Sequence, residues 1–469
     1  MQLSTPSDDS QMTLIANASK LQRFTSLLNS VSLEKDRIIE EAQRIRPGRT
    51  CILQLPPDSQ SMVDAKNMYN GINVHFPIIF DDGVKWLIRV RQSHNGYPPP
   101  EIQRFVVRSE VTALTILKNG GVLVPDAWYP LIDGQSSQPD LCYFFCQLLN
   151  GASLNIPKRG IDALWTPGPR IKHIIEEYAR ISILMADTPI SSSLIGCPIP
   201  DPDDPHHITI GPLATHRALN MIEPPYFPGP FKNNQERYLA QIDIALDHIF
   251  NGHLCQRNTL DAYLWHLELR ELVGLCDMLA EKPNKVYIRH ADDKGDYLMG
   301  DVEGNVTGII DWEWAYATTK EEAFSSPYFG FTHNRYYAGN NLMTPAEELL
   351  IQAYERFGRK DLADCIRNGK IYQRLSHIGT FEPWPCPQRG FLEVFARWKP
   401  ANLKPPAKFD TSWRIYLIDR YGDNETLQEL IKREAWDQEN GRVEVKSERQ
   451  KWLEERKEKR KEHSSGEIS

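Results

Sequence analysis

Apolar and polar positions change period along the chain, and the changes mark out its elements. Leu21, Phe24, Leu27 and Leu28 share one helical stripe, and Ile38, Ile39 and Ala42 continue it after a helix start at Ser32-Leu33-Glu34-Lys35. From Cys51 the period drops to two. Val74, Phe76, Ile78 and Phe80 alternate along a strand, Asp81-Asp82-Gly83 is a hairpin signal, and Trp86, Ile88 and Val90 face one way on the return strand. Lys85, Leu87, Arg89 and Arg91 face the other way. A helical period returns over 101–118, where Ile102, Phe105, Val106, Val111, Leu114 and Leu117 form the buried stripe and Gly120-Gly121 stops it. Val122–Pro125 and Leu141–Leu148 read as two further strands. The first part of the chain is therefore a small antiparallel sheet with one main helix.

Asn150-Gly151-Ala152-Ser153 marks a boundary, and beyond it the pattern is mainly helical. Ile171, Ile174, Ile175, Tyr178 and Met185 define one helix, Tyr238 to Ile249 a second and Leu264 to Ala280 a third. Residues 196–232 are rich in Pro and Gly and read as loop. Further helices are expected around 345–357, 360–375 and 411–436, with Pro383-Trp384-Pro385-Cys386-Pro387 as a stiff loop between them. From Val443 the chain is dense in Lys, Arg and Glu, as in a solvated helix. Four segments follow: a helical extension at 1–50, the sheet at 51–149, the helical part at 150–436 and a charged tail at 437–469. The fold class is α+β.

One stretch stands apart from both periods. Val286-Tyr287-Ile288 is a β-forming run that leads into His290-Ala291-Asp292. Tyr297-Leu298-Met299 is a second short run, Asp301–Asn305 supplies turn residues, and Val306–Ile310 delivers Asp311 ahead of Trp312-Glu313. A hairpin of this kind brings Asp292 and Asp311 to neighbouring strand ends. A carboxylate at the end of a continuous apolar run is out of place as a solvated group. Two such carboxylates suit holding a metal–nucleotide and taking a proton from a hydroxyl. Upstream, Glu110 lies between apolar neighbours on its helix and needs a partner, for which Arg89 is the natural candidate. Arg91 reads as the charge that protects an edge strand. Asp201, Asp203, Asp204, His206 and His207 match no metal-ligand spacing and read as a solvated loop.

Composition narrows the function without naming it. Hydrophobic residues at 41% and charged residues at 25% are ordinary for a soluble globular chain, and the net charge of −8 argues against nucleic acid as a partner. The eight cysteines form no CxxC pair, so reduced thiols in a cytoplasmic protein are expected. The N-terminus has neither a basic n-region nor a long apolar core, and no window has the apolar length to span a bilayer.

The ordered set of motifs resembles the aminoglycoside phosphotransferase family, which has a bilobal protein-kinase-like fold, and within it the fungal branch. The resemblance covers roughly residues 60–330. Its most specific part is Val306-Thr307-Gly308-Ile309-Ile310-Asp311-Trp312-Glu313-Trp314, supported by Ile78–Gly83, Arg89, Ser109-Glu110 and Val124-Pro125. It implies a small antiparallel N-lobe, a larger helical C-lobe, ATP or GTP as donor, Mg²⁺ as cofactor and a small-molecule hydroxyl as acceptor. With no window long enough to span a bilayer, no membrane partner is expected. By position, Asp292 matches the base that deprotonates the acceptor, and His290 the residue that braces the catalytic loop. Asp311 matches the Mg²⁺ ligand. Gly71 and Arg89 match phosphate-binding positions, Glu110 the acid that orients Arg89, and Gln147, Leu148 and Leu149 the linker that meets the purine. The family's second metal ligand, five residues after the base, is Tyr297 here, and the neighbouring Asp296 is the carboxylate able to replace it. Tyr297 also favours the alternative, a pseudokinase that binds nucleotide or a partner without transfer.

Overall fold

The computed structural model describes residues 8–64, 72–92, 100–130, 141–154, 167–201, 203–204, 207–214, 226–293, 295–327, 333–381, 385–399 and 411–440. The chain divides into two compact units. The first comprises Met1–Lys118 and Val124–Asn150, the second Asn119–Leu123 and Gly151–Ser469. The class is α+β, with the antiparallel sheet in the first unit and most of the helix in the second.

In the first unit, α1 (Asp8–Leu33), α2 (Lys35–Ile45), β1 (Cys51–Leu53) and α3 (Ser59–Asp64) precede the strands β2 (Asn73–Phe80) and β3 (Lys85–Arg91). After these come α4 (Pro100–Asn119), β4 (Ala127–Trp128) and β5 (Cys142–Gln147). The five strands are antiparallel in the order β1-β2-β3-β5-β4. Every second residue of β2 is buried, as the period-two pattern requires. One face of the sheet packs on the N-terminal helices: Phe24, Leu27, Val31, Ile38 and Ala42 share a core with Phe76, Ile78, Trp86, Ile88 and Phe145. The helical extension is thus part of the core of this unit. On the opposite face Arg89 meets Glu110 of α4. The helix buries far more than the expected stripe, since only Glu101, Arg108, Thr115 and Lys118, with Asn119 at its end, are exposed along it.

Two expectations fail in this unit. Arg91 is only 2% exposed, on a β3 that is paired on both sides, so it is no edge-strand guard. Val122–Pro125 is not a strand. Pro125 has no N–H to contribute to a ladder, and the Leu123 carbonyl instead accepts from the Ile309 N–H at 2.7 Å.

The second unit begins with β6 (Ala152–Ser153), α5 (Pro169–Ala186), β7 (Cys197–Pro200) and β8 (Ile208–Gly211). It continues with α6 (Asn234–Phe250), α7 (Thr259–Gly274), α8 (Asp277–Ala280), β9 (Tyr287–Arg289), β10 (Leu298–Gly300), β11 (Val306–Ile309), β12 (Tyr316–Thr318) and α9 (Lys320–Ala323). It ends with α10 (His333–Tyr337), α11 (Pro345–Arg356), α12 (Lys360–Asn368), α13 (Lys370–Leu375), α14 (Pro385–Val394), α15 (Thr411–Arg420) and α16 (Glu425–Asn440). A large core joins α6 and α7 to α13, α14, α15 and α16 through Tyr238, Leu264, Trp265, Leu375, Phe391, Trp413 and Leu427.

Here too the structure corrects the pattern. The expected loop at 196–232 contains the β7–β8 hairpin. The third helix breaks between Gly274 and Asp277, and Pro385 opens α14 rather than ending in a loop, because proline is well placed in a first helical turn. Residues 441–469, most of the charged tail, lie outside the described residues. Among the described residues no helix is long and apolar enough to cross a membrane.

Candidate functional site

The acid-bearing stretch folds differently from a simple three-strand hairpin. β10 and β11 do pair, with Leu298 opposite Ile309 and Met299 opposite Gly308, and β6 adds a third strand. The Asp301 carboxylate closes the tip by accepting from the Gly304 and Asn305 N–H groups at 2.9 and 2.8 Å. β9, however, pairs with β12 in a separate sheet, with Arg289 opposite Tyr316. What joins the two acid-bearing segments is His290. Its Nε2 donates to the Ile310 carbonyl at 3.0 Å, and its Nδ1 accepts from the Asp292 N–H at 3.2 Å. A carbonyl can only accept, so the ring carries its proton on Nε2. His290 therefore straps the residue before Asp311 to the backbone of Asp292.

Aromatic packing holds the strap. The His290 ring lies 4.4 Å from Tyr297 and 4.7 Å from Trp312, and Trp312, itself buried, donates Nε1–H to the Ile309 carbonyl at 3.1 Å. Asp311 follows with φ at +67°, a left-handed conformation that non-glycine residues adopt at a cost. It is exposed, as is Asp296, whereas Asp292 is half-buried. Strain of this kind persists where the surroundings over-determine the backbone, and here the neighbours are the His290 strap and the buried Trp312.

The remaining sequence-derived residues divide by unit. In the first, Arg89 Nη2 lies 3.6 Å from Glu110 Oε1, with both side chains buried. The expected pairing is present. Gln147 ends β5 and Leu148 and Leu149 follow it. The Gln147 and Leu148 N–H groups are already used, donating to the Asp126 and Lys85 carbonyls at 2.8 and 3.2 Å. Gly71 lies outside the described residues. In the second unit, Tyr297 is 3% exposed and turned into the core, so its phenol is no metal ligand. The Asp296 carbonyl is fixed by Ser153 Oγ at 2.9 Å.

Among the described residues no group of three or more His, Cys, Asp or Glu side chains is placed to hold a metal ion. Asp311 and Asp296, the carboxylates expected to bind metal, are both exposed. Carboxylates are the hard oxygen donors that Mg²⁺ takes, one or two at a time, with water and phosphate oxygens completing its shell. His207 and Asp204, from the expected solvated loop, are exposed and bonded to each other at 2.5 Å, while His206 lies outside the described residues.

Sequence reasoning missed a buried charge network beside this site. The Glu322 carboxylate accepts from Arg237, Tyr238, Tyr316 and Thr318. Burial raises its pKa, but Arg237 and Arg289 outweigh that and hold it below the usual carboxylate range. A small cavity of about 10 Å³, room for one water centre, opens next to it. Tyr178, Ser182, His290, Asp293, Tyr297 and Trp312 are among the residues that line it. Burial, with the Asp293 charge adding to it, pushes the Tyr178 phenol up to about 12. Nothing in the local pattern announced this network, because its members come from four separated segments.

No family model matches the sequence, and no curated protein matches it. Among solved structures, the chain is similar to macrolide 2'-phosphotransferase MphH from Brachybacterium faecium, at 13% identity and TM-score 0.35, over 87% of this chain and 99% of that one. It is similar to a thermostable mutant of aminoglycoside phosphotransferase APH(4)-Ia in ternary complex with ADP and hygromycin B, at 13% identity and TM-score 0.34, over 78% and 99%. It is also similar to a Plasmodium vivax ethanolamine kinase, at 11% identity and TM-score 0.38, over 79% and 82%. At that level of likeness no residue role transfers to this chain.

Proposed function

We propose that the chain is a phosphotransferase of the aminoglycoside-phosphotransferase type, with a protein-kinase-like fold, that moves the γ-phosphoryl group of ATP or GTP to a hydroxyl of a small molecule. The observation that carries this reading is the strap from Asp292 through His290 to Ile310, next to an exposed Asp311 held at a left-handed φ. A histidine that ties the Asp292 backbone to the residue before Asp311, next to a strained turn, supports a shared task for the two acids.

Phosphoryl transfer asks the protein for positioning and charge more than for covalent chemistry. Asp292 accepts the proton of the acceptor hydroxyl. His290 keeps the Asp292 backbone in place, and its one ring N–H is committed to the Ile310 carbonyl. Asp311 and Asp296 hold Mg²⁺, which when bound neutralises charge on the nucleotide phosphates. Arg89 binds phosphate oxygens through its planar fork, and Glu110 fixes the direction of that fork. Residues 147–149 meet the purine, and the Gln147 and Leu148 N–H groups, bonded to the Asp126 and Lys85 carbonyls, take no part in that contact.

A second reading rests on Tyr297. Its buried ring against His290 stands where a second metal ligand is expected, and this favours a pseudokinase that binds nucleotide without transfer. Thermal stabilisation by ATP and GTP, with and without Mg²⁺, tests both. The phosphotransferase reading expects an Mg²⁺-dependent shift that Asp311→Ala abolishes. A shift indifferent to Mg²⁺ selects the pseudokinase, and no shift with either nucleotide refutes both.

A further inference from the structure

The buried network around Glu322 has no part in the chemistry proposed above, yet it touches the candidate catalytic loop on both sides. Its anchor is the Glu322 carboxylate, 3% exposed. Oε1 accepts from Arg237 Nη2 at 2.7 Å, Tyr238 OH at 3.0 Å and Tyr316 OH at 2.7 Å, and Oε2 accepts from Thr318 Oγ1 at 2.6 Å. Arg289 joins through the main chain: one terminal nitrogen donates to the Glu322 carbonyl and, at 2.7 Å, to Ser325 Oγ. Its other terminal nitrogen lies 4.0 Å from Asp293 Oδ2. Arg237, Arg289, Glu322 and Asp293 are two charges of each sign, and all four side chains are at least 86% buried.

The placement of two members decides what the network does. Arg289 is the residue before His290, and Asp293 is the residue after Asp292. Beyond the β9–β12 pairing, the segment from β9 into the loop is thus fixed to residues on both sides of Asp311 by two side-chain attachments. One is His290 on Ile310, and the other is Arg289 on Glu322 and Ser325. A single attachment leaves a loop free to pivot, whereas two attachments fix its orientation as well. Asp293 closes the arrangement from the far side of Asp292. A hydrophobic pair would fill the same space, but it would not impose a direction on the loop.

We propose that Arg289 and Asp293 are positioning residues for Asp292, forming a buried charge latch anchored on Glu322 that sets the orientation of the catalytic loop. This rests on the phosphotransferase reading for the role of Asp292. The test uses the full chain and three variants: Arg289→Met, Asp293→Asn and the double variant. Arg289→Lys serves as the conservative control. Three quantities are read: amide hydrogen exchange over residues 290–298, thermal stabilisation by Mg²⁺ and nucleotide, and ADP release from Mg²⁺ and ATP.

Arg289→Met is expected to raise exchange in 290–298 and to lower ADP release, each by about tenfold, with nucleotide stabilisation kept. Arg289→Lys restores part of both. The double variant has no uncompensated buried charge and recovers thermal stability, but its loop exchange stays high and its ADP release low. That combination separates positioning from mere stability. Unchanged loop exchange in a folded Arg289→Met variant overturns the proposal, and so does full recovery of turnover in the double variant. If Arg289→Met does not fold, Asp293→Asn decides by the same readings. If wild type shows no nucleotide stabilisation, the phosphotransferase reading fails, and loop exchange still judges the latch.

Discussion

Replacing Asp311 by Gly and by Ala separates its two properties, the carboxylate and the backbone. Both variants lose the carboxylate and whatever that carboxylate contacts, so their difference reports the backbone alone. At φ +67° an alanine Cβ crowds the following carbonyl, at about 1–2 kcal/mol relative to a residue free of that clash. Glycine has no Cβ, although it gives back about 0.5–1 kcal/mol through the entropy of the unfolded chain. The Gly variant should therefore be the more stable by about 1 kcal/mol, or about 2 °C in Tm for a unit of this size. Urea unfolding monitored by tryptophan fluorescence reads this as a higher midpoint for Asp311→Gly at an unchanged slope. The same samples carry the functional half. In wild type, Mg²⁺ and nucleotide at 100 times Kd should add about 2.7 kcal/mol, and both variants should lose the Mg²⁺-dependent part. An Ala variant as stable as the Gly variant would show that the strain is not there. Retention of the full Mg²⁺ increment by either would remove Asp311 from the metal site.

Three other predictions follow from the structure. His266 is fully buried and held as the Nδ1–H tautomer between the Ala262 carbonyl and the Gly379 N–H, and burial lowers its pKa from 6.5 to about 4. A lowered folded pKa means stability that is complete above pH 6.5 and is lost as pH falls toward 4, by about 3 kcal/mol, which urea midpoints at pH 7 and pH 4 will read. Phe24 of α1 is 1% exposed in the core of the sheet unit, so Phe24→Ala should cost about 3–5 kcal/mol by the same unfolding assay. Glu110→Gln removes the carboxylate charge that faces the buried Arg89 and should cost about 3–5 kcal/mol, with nucleotide affinity falling alongside, as isothermal titration will measure.

Legibility in the sequence followed the range of the interactions. The β2–β3 hairpin was readable because alternating burial and the Asp81-Asp82-Gly83 turn are local signals, and the structure keeps both. The Arg89–Glu110 pair was readable because a carboxylate on the buried face of α4 needs a cation, and few were available. Arg91 misled because charge on a strand suggests an edge, whereas edge or centre is decided by β5, which arrives some fifty residues later in the chain. β9 misled for the same reason: its neighbour is β12, beyond the whole β10–β11 hairpin. The Glu322 network was invisible, since a buried glutamate in Lys320-Glu321-Glu322-Ala323 looks like any exposed helical turn. The strain at Asp311 has no sequence signal beyond the residue's tolerance of left-handed backbone.

The most direct measurement is phosphorus-31 NMR of Mg²⁺ and ATP, then GTP, incubated with the protein and pools of small hydroxyl compounds. Growth of a phosphate-ester resonance matched by nucleoside diphosphate, present with wild type and lost with Asp292→Asn, is the predicted result. No ester from any pool despite Mg²⁺-dependent nucleotide binding would contradict phosphoryl transfer. Equal ester formation by Asp292→Asn would contradict the assignment of Asp292 as its base.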